Sequence, residues 1–184
     1  HNRGESTFSG ESSLDGDFAG LDDLLTEDPV VVQGMIDVFG GWIDKYGIDG
    51  FRIDTARHVN PEFWQAFIPA MLDRARAKGI PNFHIFGEVY DHDPAVTARF
   101  TRVDGYPAVL DFPFQKTAVD VASGKTGTDA LAKLFAADAV YAKGADTAAI
   151  PLTWFFSGGT CASPDACRPG SQGGLGRNDN HCPC

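Results

Sequence analysis

The sequence predicts an α/β fold whose parallel strands are joined by crossover helices. Three observations carry this. Strand-like apolar runs alternate with stretches of helical periodicity along the 184 residues. Asp28-Pro29 and Asn60-Pro61 stand where helices would begin. Hydrophobic residues make up 43% of the chain, which suits a packed core rather than a disordered segment.

Taken in order, residues 1–28 are rich in Gly, Ser and Asp and read as an irregular, exposed stretch. "TEDPVVVQGM" then opens a helix, with Asp28 as N-cap and Pro29 in the first helical position. Val31, Met35, Val38 and Trp42 recur at helical spacing, and Gly47 stops the run. "GIDGFRIDTARHV" follows as a strand built on Ile48, Phe51 and Ile53. Asn60-Pro61 repeats the start signal, Phe63, Phe67 and Met71 form an apolar face, and Gly79 closes the second helix. "NFHIFGEVY", 82–90, is a second buried strand. A loop leads to a third, "AVLDFPF", 108–114. Leu131, Leu134 and Phe135 mark a further helix ending near Gly144. "AAIPLTWFF" is a fourth strand, weakened by Pro151. The α/β part thus runs over 29–156. Residues 157–184 are Gly, Pro, Cys and polar residues with little to bury, and read as loop or disorder.

The charge balance narrows the partners. With 25 acidic and 15 basic side chains, the net charge of −10 repels phosphate backbones, so no nucleic acid partner is expected. No apolar run reaches the roughly 18 residues that a membrane span needs. "HNRGESTFSG" has no initiator Met, basic n-region or apolar h-region. Either a targeting segment has been removed or the chain starts inside a longer protein, for which an extracellular or periplasmic setting is compatible. Cys161, Cys167, Cys182 and Cys184 all lie in the tail. Their C-x5-C and C-x-C spacings fit no common zinc pattern, which favours disulfides or free thiols over a metal site without choosing between the two.

The chemistry sits at strand ends. Arg52 and Asp54 are two residues apart and so share one face of the first strand. In a sheet covered by helices that face is normally apolar. In a (β/α)8 barrel it points into the interior near the C-terminal mouth, where active sites lie. There Arg52 would hold Asp54 ionised, and an anionic carboxylate can act as a nucleophile. The same pair also fits a structural ion pair at a strand end, as in an unrelated α/β protein. Glu88 tips the balance. It follows "FHIFG" by position and comes 34 residues after Asp54, about one βα repeat, so both ends would be neighbours on one rim. Gly87 before it permits close backbone approach. A Glu in a partly apolar mouth can serve as general acid. One ionised carboxylate beside one protonatable carboxyl is the equipment of a glycosidase, and a separation of roughly 5–5.5 Å would mean retention.

These residues resemble a known family. "GFRIDTARH" resembles the nucleophile motif of the alpha-amylase family of glycoside hydrolases, and "FGEVY" its general-acid motif. "GLDDLLTEDPVV" is similar to the segment leading out of that family's domain B into the third barrel helix. The likeness covers roughly residues 18–153. It implies a partial (β/α)8 barrel, entered from a domain B-like segment. It implies Asp54 as nucleophile, Glu88 as acid/base and Arg52 as the arginine orienting the nucleophile. Arg57 and His58 would line the subsites nearest the cleaved bond; Tyr90 and Trp64 suit stacking on sugar, but each suits a core or rim position better. No cofactor is implied. A structural Ca2+ in the intact parent would take the His58 backbone carbonyl, although His58 equally suits a satisfied loop position. The implied partner is an alpha-glucan or oligosaccharide.

Two departures from the pattern stand out. The family's Asp and Asn-His of its first strands have no match here. Its third carboxylate, in an Asn-His-Asp run, should follow "AAIPLTWFF", where "SGGTCASPD" stands instead. The expectation is therefore a central segment of a retaining hydrolase or transglycosylase, inactive by itself. The alternative is a non-catalytic barrel remnant that binds sugar.

Overall fold

The computed structural model describes residues 14, 16, 21–141 and 152–153. The four cysteines, the 157–184 tail, most of residues 1–20 and all of "AAIPLTWFF" except Leu152 and Thr153 lie outside the described residues; the helix expected to end near Gly144 stops earlier, at Ala137, where a 3-10 turn takes over before the extended Tyr141.

Regular structure starts where the chain turns at Asp28. Its carboxylate accepts the Val30 N–H at 2.8 Å, and Pro29 opens α1 (Pro29–Tyr46). Gly47 ends the helix in the left-handed conformation, φ 61°, donating to the Ile43 carbonyl. The inward face of α1 is not the expected one. Ile43 is buried, and Val32, Met35 and Ile36 pack on the core. Val38 and Trp42 are 60% and 49% exposed. They have helical spacing with Val31 and Met35, but that line drifts around the cylinder to its outer flank.

β1 (Gly50–Ile53) leads through a single 3-10 turn, Ala56–His58, to α2 (Pro61–Ala77). Phe63, Phe67 and Met71 are buried, as expected. Each such side chain contributes about 1.5–3 kcal/mol on burial. Asn60 has the extended backbone of an N-cap, but its side chain makes no cap bond. It accepts from the Thr26 hydroxyl at 2.7 Å and donates to Glu62 at 3.1 Å, tying the segment before α1 to the start of α2.

The next three elements correct the expected order. β2 is His84–Gly87, shorter than 82–90. The stretch read as loop contains α3 (Pro94–Arg102), capped by Asp93 accepting from Ala95 N at 2.9 Å. β3 is only Ala108–Leu110. Asp111 stops it by accepting from Phe114 N at 2.9 Å, and Phe112 and Pro113 open α4 (Phe112–Ala122). The apolar run "AVLDFPF" is thus half strand and half helix. After α4 come α5 (Asp129–Ala137) and β4 (Leu152–Thr153).

The four strands pair in parallel in chain order, β1-β2-β3-β4. Gly50 faces His84, Arg52 faces Phe86 and Ile53 faces Gly87; Gly87 in turn faces Val109. Strand alternation therefore sorts the two faces. Phe51, Ile85, Ile53 and Val109 belong to the main apolar cluster, with Ile43, Phe67 and Met71 from the helices. Arg52, Asp54 and Glu88 take the opposite face. A sheet that keeps strand order along the chain and gives one face to helices is a barrel wall; a doubly wound sheet reverses order and covers both faces. Gly87 sits in this wall because a Cβ there would come within 2.7 Å of the Tyr106 ring.

Candidate active site

The site lies just past the C-terminal ends of β1 and β2. The ladder carries on beyond the strands: Glu88 N donates to the Ile53 carbonyl at 2.8 Å, and Ala56 N donates to the Glu88 carbonyl at 3.1 Å. Asp54 and Glu88 consequently share one rim on neighbouring parallel strands.

A single guanidinium joins them. Arg52 Nη1 is 2.7 Å from Asp54 Oδ1, and Arg52 Nη2 is 3.0 Å from Glu88 Oε1. Charge-assisted bonds of this kind favour the ionised carboxylate. The hydrogen bond from Arg52 holds the Asp54 carboxyl below the usual range. A hydrogen bond with Glu88 adds to this, and slight burial opposes it. Asp54 is anionic at neutral pH, as a nucleophile must be. The Thr55 amide donates to Glu88 Oε2 at 3.3 Å, so each Glu88 oxygen has a protein donor.

A cavity of 230 Å³ opens beside Glu88, lined by Thr55, Arg57, His58, Glu88 and Tyr90. Arg57 is fixed there: Nη1 donates to the Tyr90 carbonyl at 2.6 Å and to Asp91 Oδ2 at 3.1 Å. Tyr90 is 49% exposed, and its ring meets Phe112 edge-on at 4.9 Å. Trp64 is elsewhere. It is buried, and its indole N–H donates to the Ala56 carbonyl at 3.2 Å, so it braces the turn from below and offers no face to a sugar.

The residues singled out from sequence thus fall into three groups. Arg52, Asp54 and Glu88 meet directly, and Arg57, His58 and Tyr90 line one cavity beside them. Trp64 is core. Thr55 and Asp91 form the support that sequence patterns did not single out. Of these, only Asp91 carried a visible signal, as an acid three residues past Glu88 and next to Tyr90. A calcium ion takes six or more oxygens. Among the described residues no three His, Cys, Asp or Glu side chains gather to hold a metal.

The fold and rim define a segment of (β/α)8 barrel with its polar site at the C-terminal mouth. Comparison with known proteins agrees. The profile of the alpha amylase catalytic domain matches residues 2–168. An alpha-amylase of Streptomyces lividans is 47% identical over 141 residues, which are 77% of this chain and 15% of that protein. The crystal structure of an Anoxybacillus alpha-amylase matches with a TM-score of 0.67 at 30% identity, over 76% of this chain and 31% of that one. The Geobacillus thermoleovorans alpha-amylase, solved with acarbose, matches with a TM-score of 0.56 at 30% identity, over 63% and 25%. The chain belongs to the alpha-amylase catalytic-domain family of glycoside hydrolases. It spans less than a third of the length of each of these relatives.

Proposed function

We propose that this chain carries the nucleophile and the acid/base of a retaining hydrolase or transglycosylase acting on α-glucosidic bonds. The observation behind it is the one guanidinium shared by Asp54 and Glu88. Both carboxyls reach the same cation, which supports reading them as the paired acids of double displacement, whose carboxyls stand closer than those of an inverting pair.

In the first half-reaction Asp54 attacks the anomeric carbon. The bond to the leaving oxygen breaks, and that oxygen takes a proton from Glu88. In the second, Glu88 takes a proton from water or an acceptor hydroxyl, whose oxygen displaces Asp54 and restores both carboxyls. Arg52 keeps Asp54 charged and aimed. Arg57, His58 and Tyr90 bind the sugar beside Glu88, with the half-exposed Tyr90 ring as a stacking surface. The partner is an alpha-glucan or oligosaccharide, and no cofactor is required. Any structural calcium in a longer parent would draw most of its ligands from outside the described residues.

By itself this chain should be inactive. Arg52 and Asp54 side chains are 48% and 67% exposed. Transition-state electrostatics depend on donors held in a water-excluded site, and this rim is open to water. The test is a chimera in which the matched stretch of the Streptomyces lividans alpha-amylase is replaced by this chain. Asp54→Asn should abolish starch hydrolysis with the fold intact. Glu88→Gln should lower it by about 10²–10⁴-fold while sparing substrates with activated leaving groups. Near-normal turnover by Asp54→Asn would overturn the assignment.

A further inference from the structure

Among the described residues Thr55 is the one non-glycine with a left-handed backbone, φ 47° and ψ 37°. A β-branched residue is strained there, and such strain persists only where the surroundings over-determine it. The surroundings here all converge on Glu88. In an unbroken parallel ladder, Glu88 would donate to the Ile53 carbonyl and receive the N–H two residues further on, that of Thr55. The first bond is present at 2.8 Å. The second is shifted by one residue: Ala56 N, not Thr55 N, reaches the Glu88 carbonyl at 3.1 Å. The left-handed turn makes this shift, as an extra residue does in a bulge. It releases the Thr55 amide, which turns to Glu88 Oε2 at 3.3 Å. The turn is braced from behind. Ala56 is fully buried, its carbonyl accepts the Trp64 indole N–H, and the Thr55 carbonyl accepts His58 N at 2.9 Å.

We propose that Thr55 is a positioning residue for the acid/base: its left-handed turn displaces the ladder by one residue and frees a backbone amide to hold the second oxygen of Glu88. Arg52 holds the first at 3.0 Å. With a donor on each oxygen, the carboxyl plane is fixed before substrate arrives, which is the kind of preorganisation a proton transfer exploits. This role rests on Glu88 being the acid/base.

The test reads the amide itself. In the ¹⁵N-labelled full chain, the Thr55 amide proton is followed by NMR as pH is raised. It should move downfield as the Glu88 carboxylate forms. The movement should vanish in Glu88→Gln and persist in Asp54→Asn. Thr55→Gly keeps an amide and accepts the same backbone, so it should keep the movement at residue 55. A movement that survives Glu88→Gln, or is lost in Asp54→Asn, would report the adjacent carboxylate and overturn the proposal; so would its loss in Thr55→Gly. None of these measurements needs turnover. The positioning role can fail while the chimera keeps Asp54 and Glu88 as catalytic, and the reverse outcome is equally visible.

Discussion

Arg52 is the residue on which the rim turns, because two carboxylates of different expected duties share its fork. Lysine offers one compact charge and no fork, so Arg52→Lys is not conservative here. In the chimera it should lower turnover by about 10²–10³-fold, comparable to losing one transition-state donor. Stability should change by less than about 1 kcal/mol, since the pair is half exposed. Asp104 is the opposite kind of acid. It is fully buried, and among the described residues neither oxygen has a hydrogen-bond partner and the cation paired with it is Arg99 at 3.8 Å. Burial raises its carboxyl above the usual range; Arg99 opposes this and Glu62 adds to it. The folded state therefore prefers the neutral acid. Its contribution is favourable below the unfolded carboxyl range and is lost as pH rises through the folded one. Asp104→Asn should remove that slope and stabilise the chain at neutral pH by on the order of 1 kcal/mol, measured by denaturant unfolding across pH. A slope that stays the same in the variant would show that Asp104 is not its source.

At the scale of elements, close packing and caps set the wall. Gly87→Ala should cost about 1–3 kcal/mol, because the new methyl meets the buried Tyr106 ring, which has no room to retreat. Asp93→Ala should cost about 1 kcal/mol by uncapping α3. Thermal unfolding of both variants checks the pair, and equal midpoints to the parent would refute them. Much of this architecture was legible. Asp28-Pro29 marked α1, period-two alternation placed Arg52 and Asp54 on one face, and the spacing to Glu88 put the two acids on one rim. What was missed has physical reasons. Asp93-Pro94 repeats the start signal of α1, but α3 is short and its buried face, with Thr97, Ala98 and Thr101, is too polar to read as an apolar stripe. In "AVLDFPF" strand and helix are equally apolar, so period gives no boundary, and only the Asp111 cap makes one. Val38 and Trp42 keep helical spacing yet face outward, since spacing alone does not choose the flank that meets α2. Thr55 was illegible because its strain is a backbone property of an ordinary residue type.

As a whole molecule, the chain presents a sheet with β1 paired on one side only among the described residues. A 570 Å³ cleft runs beside that strand, lined by Met35, Phe39, Phe51, Phe63 and Phe67 as well as by Arg52 and Asp54. Unpaired edges and uncovered apolar surface favour association. The isolated chain should therefore self-associate as concentration rises, seen by sedimentation, and should not hydrolyse starch or maltooligosaccharides. A monomeric chain with turnover lost in Asp54→Asn would contradict this. The central claim is that Asp54 forms a covalent bond to the sugar, with Glu88 serving the leaving group. The most direct measurement is mass spectrometry of the chimera after reaction with a fluorinated α-glycosyl fluoride, whose intermediate hydrolyses slowly. One added glycosyl residue is expected on the peptide containing Asp54, absent in Asp54→Asn. Labelling of Glu88 instead, or an active chimera that yields no adduct on Asp54, would contradict it.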